Sequence, residues 1–292
     1  MQDLLTNPAV QAAVAPFVVA LVIVLALRGI SLYWLGLAII GGLLTTVMLT
    51  TGLSFQPLTS TRKIILGSVC LPFTVPLMES LMARLPATAK RWQAIITILV
   101  PVVPVVAMVN WIIWPVLRRQ EISEAWPMLA AVSLYVSAIS VVFLMLARVK
   151  LPEKSATQGA SALMLGLGTG VTSLIAASAL YAQLAFAVSA AVGSLILITF
   201  FARSRAGLGH LSSFSLFAVG VPLALLGASA TVYAQLPVWV LLCLVTVPLF
   251  AWRPAINIER PWLRLISANF QALLPVIVAT WLAWKIAGPV SF

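Results

Sequence analysis

Ten apolar stretches follow one another along this chain, at 9 to 27, 30 to 51, 64 to 82, 92 to 117, 126 to 147, 157 to 181, 184 to 202, 211 to 235, 237 to 252 and 265 to 287, with only short polar breaks between them. Each is close to the ~20 residues an α-helix needs to cross the hydrocarbon of a bilayer. Inside lipid the backbone has no water to bond to, so stretches of this kind are helical. The expected fold is an all-α, polytopic transmembrane helix bundle of about ten helices. Charged residues make up 8% of the 292 and apolar ones 62%, whereas a water-soluble domain carries about 25% charge. No stretch of domain size remains outside the spans, so residues 1 to 292 read as a single integral membrane domain. Counted in order, the spans also divide into five-plus-five halves, 1 to 150 and 151 to 292.

Sidedness follows from the basic residues. Breaks after odd-numbered stretches hold twelve: Arg28, Arg84, Lys90, Arg91, Arg148, Lys150, Lys154, Arg203, Arg205, Arg253, Arg260 and Arg264. The other side holds five: Arg62, Lys63, Arg118, Arg119 and Lys285. Loops rich in Lys and Arg stay in the cytoplasm, which puts both termini outside it. The net charge of +11 is scattered among apolar runs rather than gathered on one polar face, so the partners it implies are anionic lipid head groups and not nucleic acid. Met1 to Pro8 carries no basic residue, unlike the start of a secretory signal, and the first span is expected to stay in the protein. None of Asn7, Asn110, Asn257 and Asn269 begins an Asn-x-Ser/Thr acceptor, in keeping with a bacterial inner (cytoplasmic) membrane.

Catalytic chemistry finds little material. Asp3 is the one Asp and His210 the one His, and of the five Glu only Glu121 and Glu124 are neighbours, where they suit a helix start. No set of side chains has the spacing of a metal site, a nucleophile with its base, or a cofactor loop. The run Gly166-x-Gly168-x-Gly170 lies in an apolar helix with no strand before it, and Gly159-Ala160-Ser161-Ala162 and Gly227-Ala228-Ser229-Ala230 suit close helix packing. The chain is expected not to be an enzyme, to use no cofactor, and to have no catalytic or metal-binding residue. Cys70 and Cys243 fall inside separate spans and read as small packing residues.

Polar side chains at membrane depth are the functional candidates, because hydrocarbon penalises them. Glu79 is the one acid within a span, with Arg84 five residues on as a local partner. Asn110, Asn269 and Gln271 bind a substrate or join helices. Tyr181 with Gln183, and Tyr233 with Gln235, recur in two similar segments, 177 to 184 and 228 to 236. A duplicated hairpin and chance likeness in an Ala- and Leu-rich chain both explain the similarity; in the first case the two pairs form a polar patch at the outer ends of two rising helices. Pro72, Pro76, Pro101, Pro104, Pro222 and Pro248 are expected to interrupt spans three, four, eight and nine, at corresponding places in the two halves.

Two function classes remain. One is a transporter or flippase for a small neutral or amphipathic substrate. The other is a non-catalytic accessory subunit of a larger membrane assembly, with membrane-protein partners. In length and number of spans the chain is similar to the drug/metabolite transporter superfamily; no motif accompanies the likeness, and members of that group place both termini in the cytoplasm, opposite to the count above. The sidedness is testable. Reporter fusions within 148 to 156 and 203 to 210 should read as cytoplasmic, and an external reading would overturn the orientation.

Overall fold

The computed structural model describes residues 6–27, 31–52, 56–84, 90–148, 155–201, 211–251 and 260–287. Asp3, His210, Glu153, Glu259, Trp252 and the basic residues Arg28, Lys150, Lys154, Arg203, Arg205 and Arg253 lie outside these, as does the expected turn at Arg28 and Gly29. The described residues contain helices and no strands. They form ten rods: α1 Val10–Leu27, α2 Tyr33–Thr50, α3 Ser60–Ala83, α4 Lys90–Leu117, α5 Ile122–Arg148, α6 Ser155–Ile175, α7 Ala179–Phe201, α8 Ser213–Tyr233, α9 Val238–Ala251 and α10 Pro261–Ala287. Eight are long and apolar enough to cross a membrane. The other two are α9, with 14 residues, and α6, which is loaded with Ser, Thr, Gln and Gly.

Hydrogen bonds between rod ends show that the rods alternate in direction. At one end Gln11 Nε2 donates to Leu49 O (3.1 Å) and Ser60 Oγ to the Tyr233 hydroxyl (2.8 Å), joining starts of odd rods to ends of even ones. At the other, the Tyr33 hydroxyl donates to Glu79 (2.6 Å) and Gln158 Nε2 to Leu146 O (2.8 Å), joining starts of even rods to ends of odd ones. We call these the α8-end face and the α8-start face.

Helix α8 is the axis. Every residue from Phe214 to Thr231 is buried, and α8 packs against α2 to α7 and α9. Its neighbours close a ring in the order α2, α7, α6, α9, α5, α4, α3, with α1 laid over α2 and α7 and α10 over α6 and α9. Lipid is as apolar as these side chains, so close packing rather than transfer from water holds such helices together. Small residues supply it. A side chain on Gly166 would meet Ser189, one on Gly168 would meet Leu244 and Val276, and one on Gly170 would meet Phe186, so α6 is approached by α7, α9 and α10 at these three of its four glycines. Outward faces are apolar: Val103, Leu134 and Phe270 are each about two-thirds exposed, as lipid-facing side chains are (67%, 67% and 66%). Exposed Trp92, Trp111, Trp114, Trp126, Trp239, Trp262, Trp281 and Trp284 lie toward rod ends, the depth an indole prefers.

Two expectations need correction. The break between the sixth and seventh spans is not at Gln183, which lies inside α7; the chain turns at 176–178, where Ala177 takes a left-handed φ of 59° and Ser178 N–H reaches back to Ser173 O (3.0 Å). Of the six prolines expected to interrupt spans, only Pro72 coincides with a change of winding, a 3₁₀ step at Leu71–Phe73 within α3. Helices α4, α8 and α9 run through Pro101, Pro104, Pro222 and Pro248.

Where winding does change, side chains fill the gap. Helix α1 opens with a π-helical turn, Val10–Val14, in which Ala15 N–H bonds Val10 O. That shift leaves the Gln11 carbonyl facing Pro16, which has no N–H to give. The Thr46 hydroxyl donates to Gln11 O instead (2.6 Å). Gln158 performs a similar service between helices. Fully buried, it donates to Leu146 O near the end of α5 and accepts from Leu211 N (3.1 Å) just before α8. Replacing Gln158 by Leu leaves a carbonyl and an amide buried without partners. We expect a loss of about 1–3 kcal/mol per orphaned group, read by unfolding in mild detergent; an unchanged midpoint would show that the clamp contributes nothing.

Candidate functional site

An open cavity of about 470 Å³ lies on the α8-end face, lined by Thr61, Ala176, Ala177, Ser178, Leu180, Tyr181, Tyr233, Ala234 and Gln235. Three helix ends build it: the start of α3, the turn from α6 to α7, and the end of α8. Tyr233 is the last residue of α8, and its hydroxyl accepts from Ser60 Oγ while donating to Ile112 O (2.7 Å), which ties α8 to α3 and α4. Tyr181 lies in the first turn of α7 with its hydroxyl beside the Thr61 side chain. No side chain of the lining carries a charge. The two cations that follow Thr61 in sequence are engaged elsewhere: Arg62 reaches Pro57 O, and Lys63 lies over the Trp111 ring (4.2 Å).

The lip of the cavity holds two strained residues. Ala177 and Gln235 both adopt left-handed backbone angles, φ 59° and 55°, at roughly 1–2 kcal/mol each for a residue with a Cβ. Each follows a helix end, and the next amide bonds back into the helix, Ser178 N to Ser173 O and Leu236 N to Ala230 O (3.1 Å). Non-glycine residues held in this region concentrate at functional sites.

Of the residues singled out in the sequence, Tyr181, Tyr233 and Gln235 line this cavity. Gln183 is half-buried further along α7 and is not among the lining residues. The two similar segments do not occupy equivalent places: 177 to 184 spans a turn and the start of α7, whereas 228 to 236 runs along the end of α8 and past it. Asn110 takes a hydrogen bond from Ser133 Oγ (3.1 Å), which joins α4 to α5. Asn269 donates to Leu265 O of its own helix (2.8 Å), and its Oδ1, like Gln271 Oε1, is buried without a partner.

Glu79 belongs to a second cluster, on the α8-start face. Its carboxylate accepts from the Tyr33 hydroxyl (2.6 Å) and from Ser213 Oγ (2.5 Å), so α2, α3 and α8 meet on one acid. Arg84, the partner its spacing suggests, is exposed, and the carboxylate takes these two hydroxyls instead. Arg148, at the end of α5, is near enough to feel the Glu79 charge and donates to Thr97. Ser212 reinforces the junction by donating to Tyr33 O (2.7 Å) and capping α8 at Ser215 N (3.0 Å). Phe214 stacks on Tyr33 (6.1 Å) and meets Trp34 and Phe73 (5.2 and 5.3 Å), which backs the carboxylate with aromatic surface.

Sequence reasoning passed over Thr61, Tyr33, Ser213, Gln11 and Gln158. Hydroxyls next to helix starts look like caps, and nothing local marks them as partners of residues 46 or 134 positions away. The chain matches no protein-family model and no curated protein at a significant level.

The Glu79 junction can be measured. Tyr33→Phe and Glu79→Gln, made singly and together, should show a coupling of about 1.5–3 kcal/mol in unfolding free energy, the range for a hydrogen bond to a charged group. Strictly additive effects would mean that the contact does not hold the helices.

Proposed function

We propose that this chain is a transporter or flippase for a small neutral or amphipathic substrate, residing in a bacterial inner membrane with both termini outside the cytoplasm. The observation that carries the reading is the open cavity where three helix ends converge, lined by the Tyr181 and Tyr233 phenols and the Gln235 amide. Hydroxyl and amide groups without charge suit a neutral ligand, since a charged one would need a counter-ion to offset its desolvation. The orientation rests on the excess of Lys and Arg on the opposite side, and puts the cavity on the external face. Glu79 then sits at the cytoplasmic end, bonded to α2 and α8, where making and breaking two hydroxyl contacts is a way to free those helices. No step requires catalysis or a cofactor.

A second reading has its own support. The interior around α8 is filled, and Asn110, Asn269 and Gln271 do not line the cavity. An accessory subunit that mainly packs against other membrane helices would be built this way. Stoichiometric membrane partners retained after mild-detergent purification would favour it.

Transport is tested in proteoliposomes. Isosmotic swelling in a panel of neutral solutes reads permeation, and dithionite quenching of a fluorescent glycolipid reads flipping. Protein-dependent movement of one of these probes is expected, and Tyr181→Ala should reduce it at least several-fold while the purified variant stays folded. Absence of both activities for the wild-type protein would sink the reading.

A further inference from the structure

Beneath the cavity the bundle contains hydroxyls that the fold does not use. Tyr135 on α5, with Thr169 and Ser173 on α6, are buried to 2%, 0% and 0% exposure; the Tyr135 and Thr169 hydroxyls face each other, yet neither they nor Ser173 Oγ makes a hydrogen bond of normal geometry among the described residues. Most serines and threonines in this bundle behave otherwise. Thr45, Thr50, Ser137, Ser161, Thr172 and Thr231 each donate to the carbonyl four residues back, the cheap local solution for a hydroxyl in a membrane helix. A hydroxyl left unpaired in a buried site costs about 1–3 kcal/mol; Ser68, Ser140 and Ser229, on α3, α5 and α8, are also buried without a partner, and what sets Tyr135, Thr169 and Ser173 apart is where they stand relative to the cavity.

Thr169 and Ser173 are one turn apart on the same face of α6, and Ala176, which lines the cavity, is the next residue up that face. The Tyr135 hydroxyl lies beside Thr169, and a side chain on Gly227 of α8 would strike it. The three hydroxyls therefore form a column that starts under the cavity floor and descends between α5, α6 and α8. Thr169 stands six residues before Ile175, about 9 Å of helical rise, and Tyr135 is near the middle of α5. Glycine at 227 lets the phenol pack directly against the α8 backbone.

We propose that this column is the inward continuation of the cavity, a hydratable path that takes a neutral, hydroxyl-bearing solute by exchanging hydrogen bonds with Ser173, Thr169 and Tyr135 in turn. The inference deepens the transport reading by naming the substrate class, and it rests on that reading only for direction of movement. Hydroxyls suit such a ligand because each can donate or accept, and because the lining brings no charge to hold an ion.

Cysteine accessibility tests the path without needing transport. In a background with Cys70 and Cys243 replaced by Ala, the near-isosteric S173C and T169C are treated in detergent with a charged, water-soluble methanethiosulfonate. Both should react roughly tenfold or more faster than S194C, whose serine is as deeply buried on α7 but hydrogen-bonded to Ala191 O. Reaction as slow as that of S194C overturns the path. S173C carries the test if T169C fails to fold, as judged by size-exclusion profile. Sorbitol should slow S173C labelling, and betaine at equal osmolality should not; equal effects of the two overturn the solute class. Thr169→Val supplies a readout that a purely structural hydroxyl would not give: the unfolding midpoint holds or rises, since an unpaired polar group is removed, while sorbitol protection of S173C is lost. Liposomes that show no swelling or flipping alongside rapid S173C labelling would remove the transport reading and leave the path standing; swelling without labelling would do the reverse.

Discussion

Because hydrocarbon offers nothing to bond with, each irregularity in a membrane helix must be satisfied from within the chain, and this bundle is organised around that need. Helix α8 has no lipid-facing surface between Phe214 and Thr231, so seven other helices are arranged by what α8 presents to them. Its two ends carry the polar work. At the start, Ser212 and Ser213 bind Tyr33 and Glu79; at the end, Tyr233 binds Ser60 and Ile112. Between them the contacts are almost wholly those of shape, with small residues letting Tyr135 and Phe143 approach at Gly227 and Gly220.

The sequence carried the helical class and the number of rods clearly, since both follow from the length and spacing of apolar runs. It was weaker wherever a backbone detail decided the outcome. Gln183 looks like a break because it is an amide midway along a long apolar run, but the turn depends on Ala177 accepting a left-handed conformation that no glycine announces. The six prolines of spans three, four, eight and nine look like interruptions because proline removes an N–H; a helix of this length in lipid tolerates them, and of these six only Pro72 sits where winding changes.

The candidate residues divide in the same way. Tyr181, Tyr233 and Gln235 attract notice as polar groups near helix ends, and the turn geometry draws them to one cavity. Their resemblance in sequence is not the cause, since the segments occupy unlike positions on α7 and α8. Glu79 is conspicuous as an isolated acid, but its partners are a tyrosine and a serine far along the chain, and periodicity cannot reveal a contact of that range. The unpaired hydroxyls of α6 are the least legible of all. Ser and Thr in a membrane helix normally bond to their own backbone, and only the three-dimensional arrangement distinguishes those that do from those that do not.

The π-helical turn in α1 reaches further than the bond it rearranges. One surplus residue in a single turn rotates everything before it by about 100° relative to regular winding, so the faces that α1 shows to α2 and α7 below Pro16 are not continuous with those above. Pro16 and Thr46 together fix that rotation: the proline denies the regular partner, and the threonine supplies the substitute. The turn that opens α1 is thereby set by two residues thirty positions apart in sequence, one of them on the neighbouring helix.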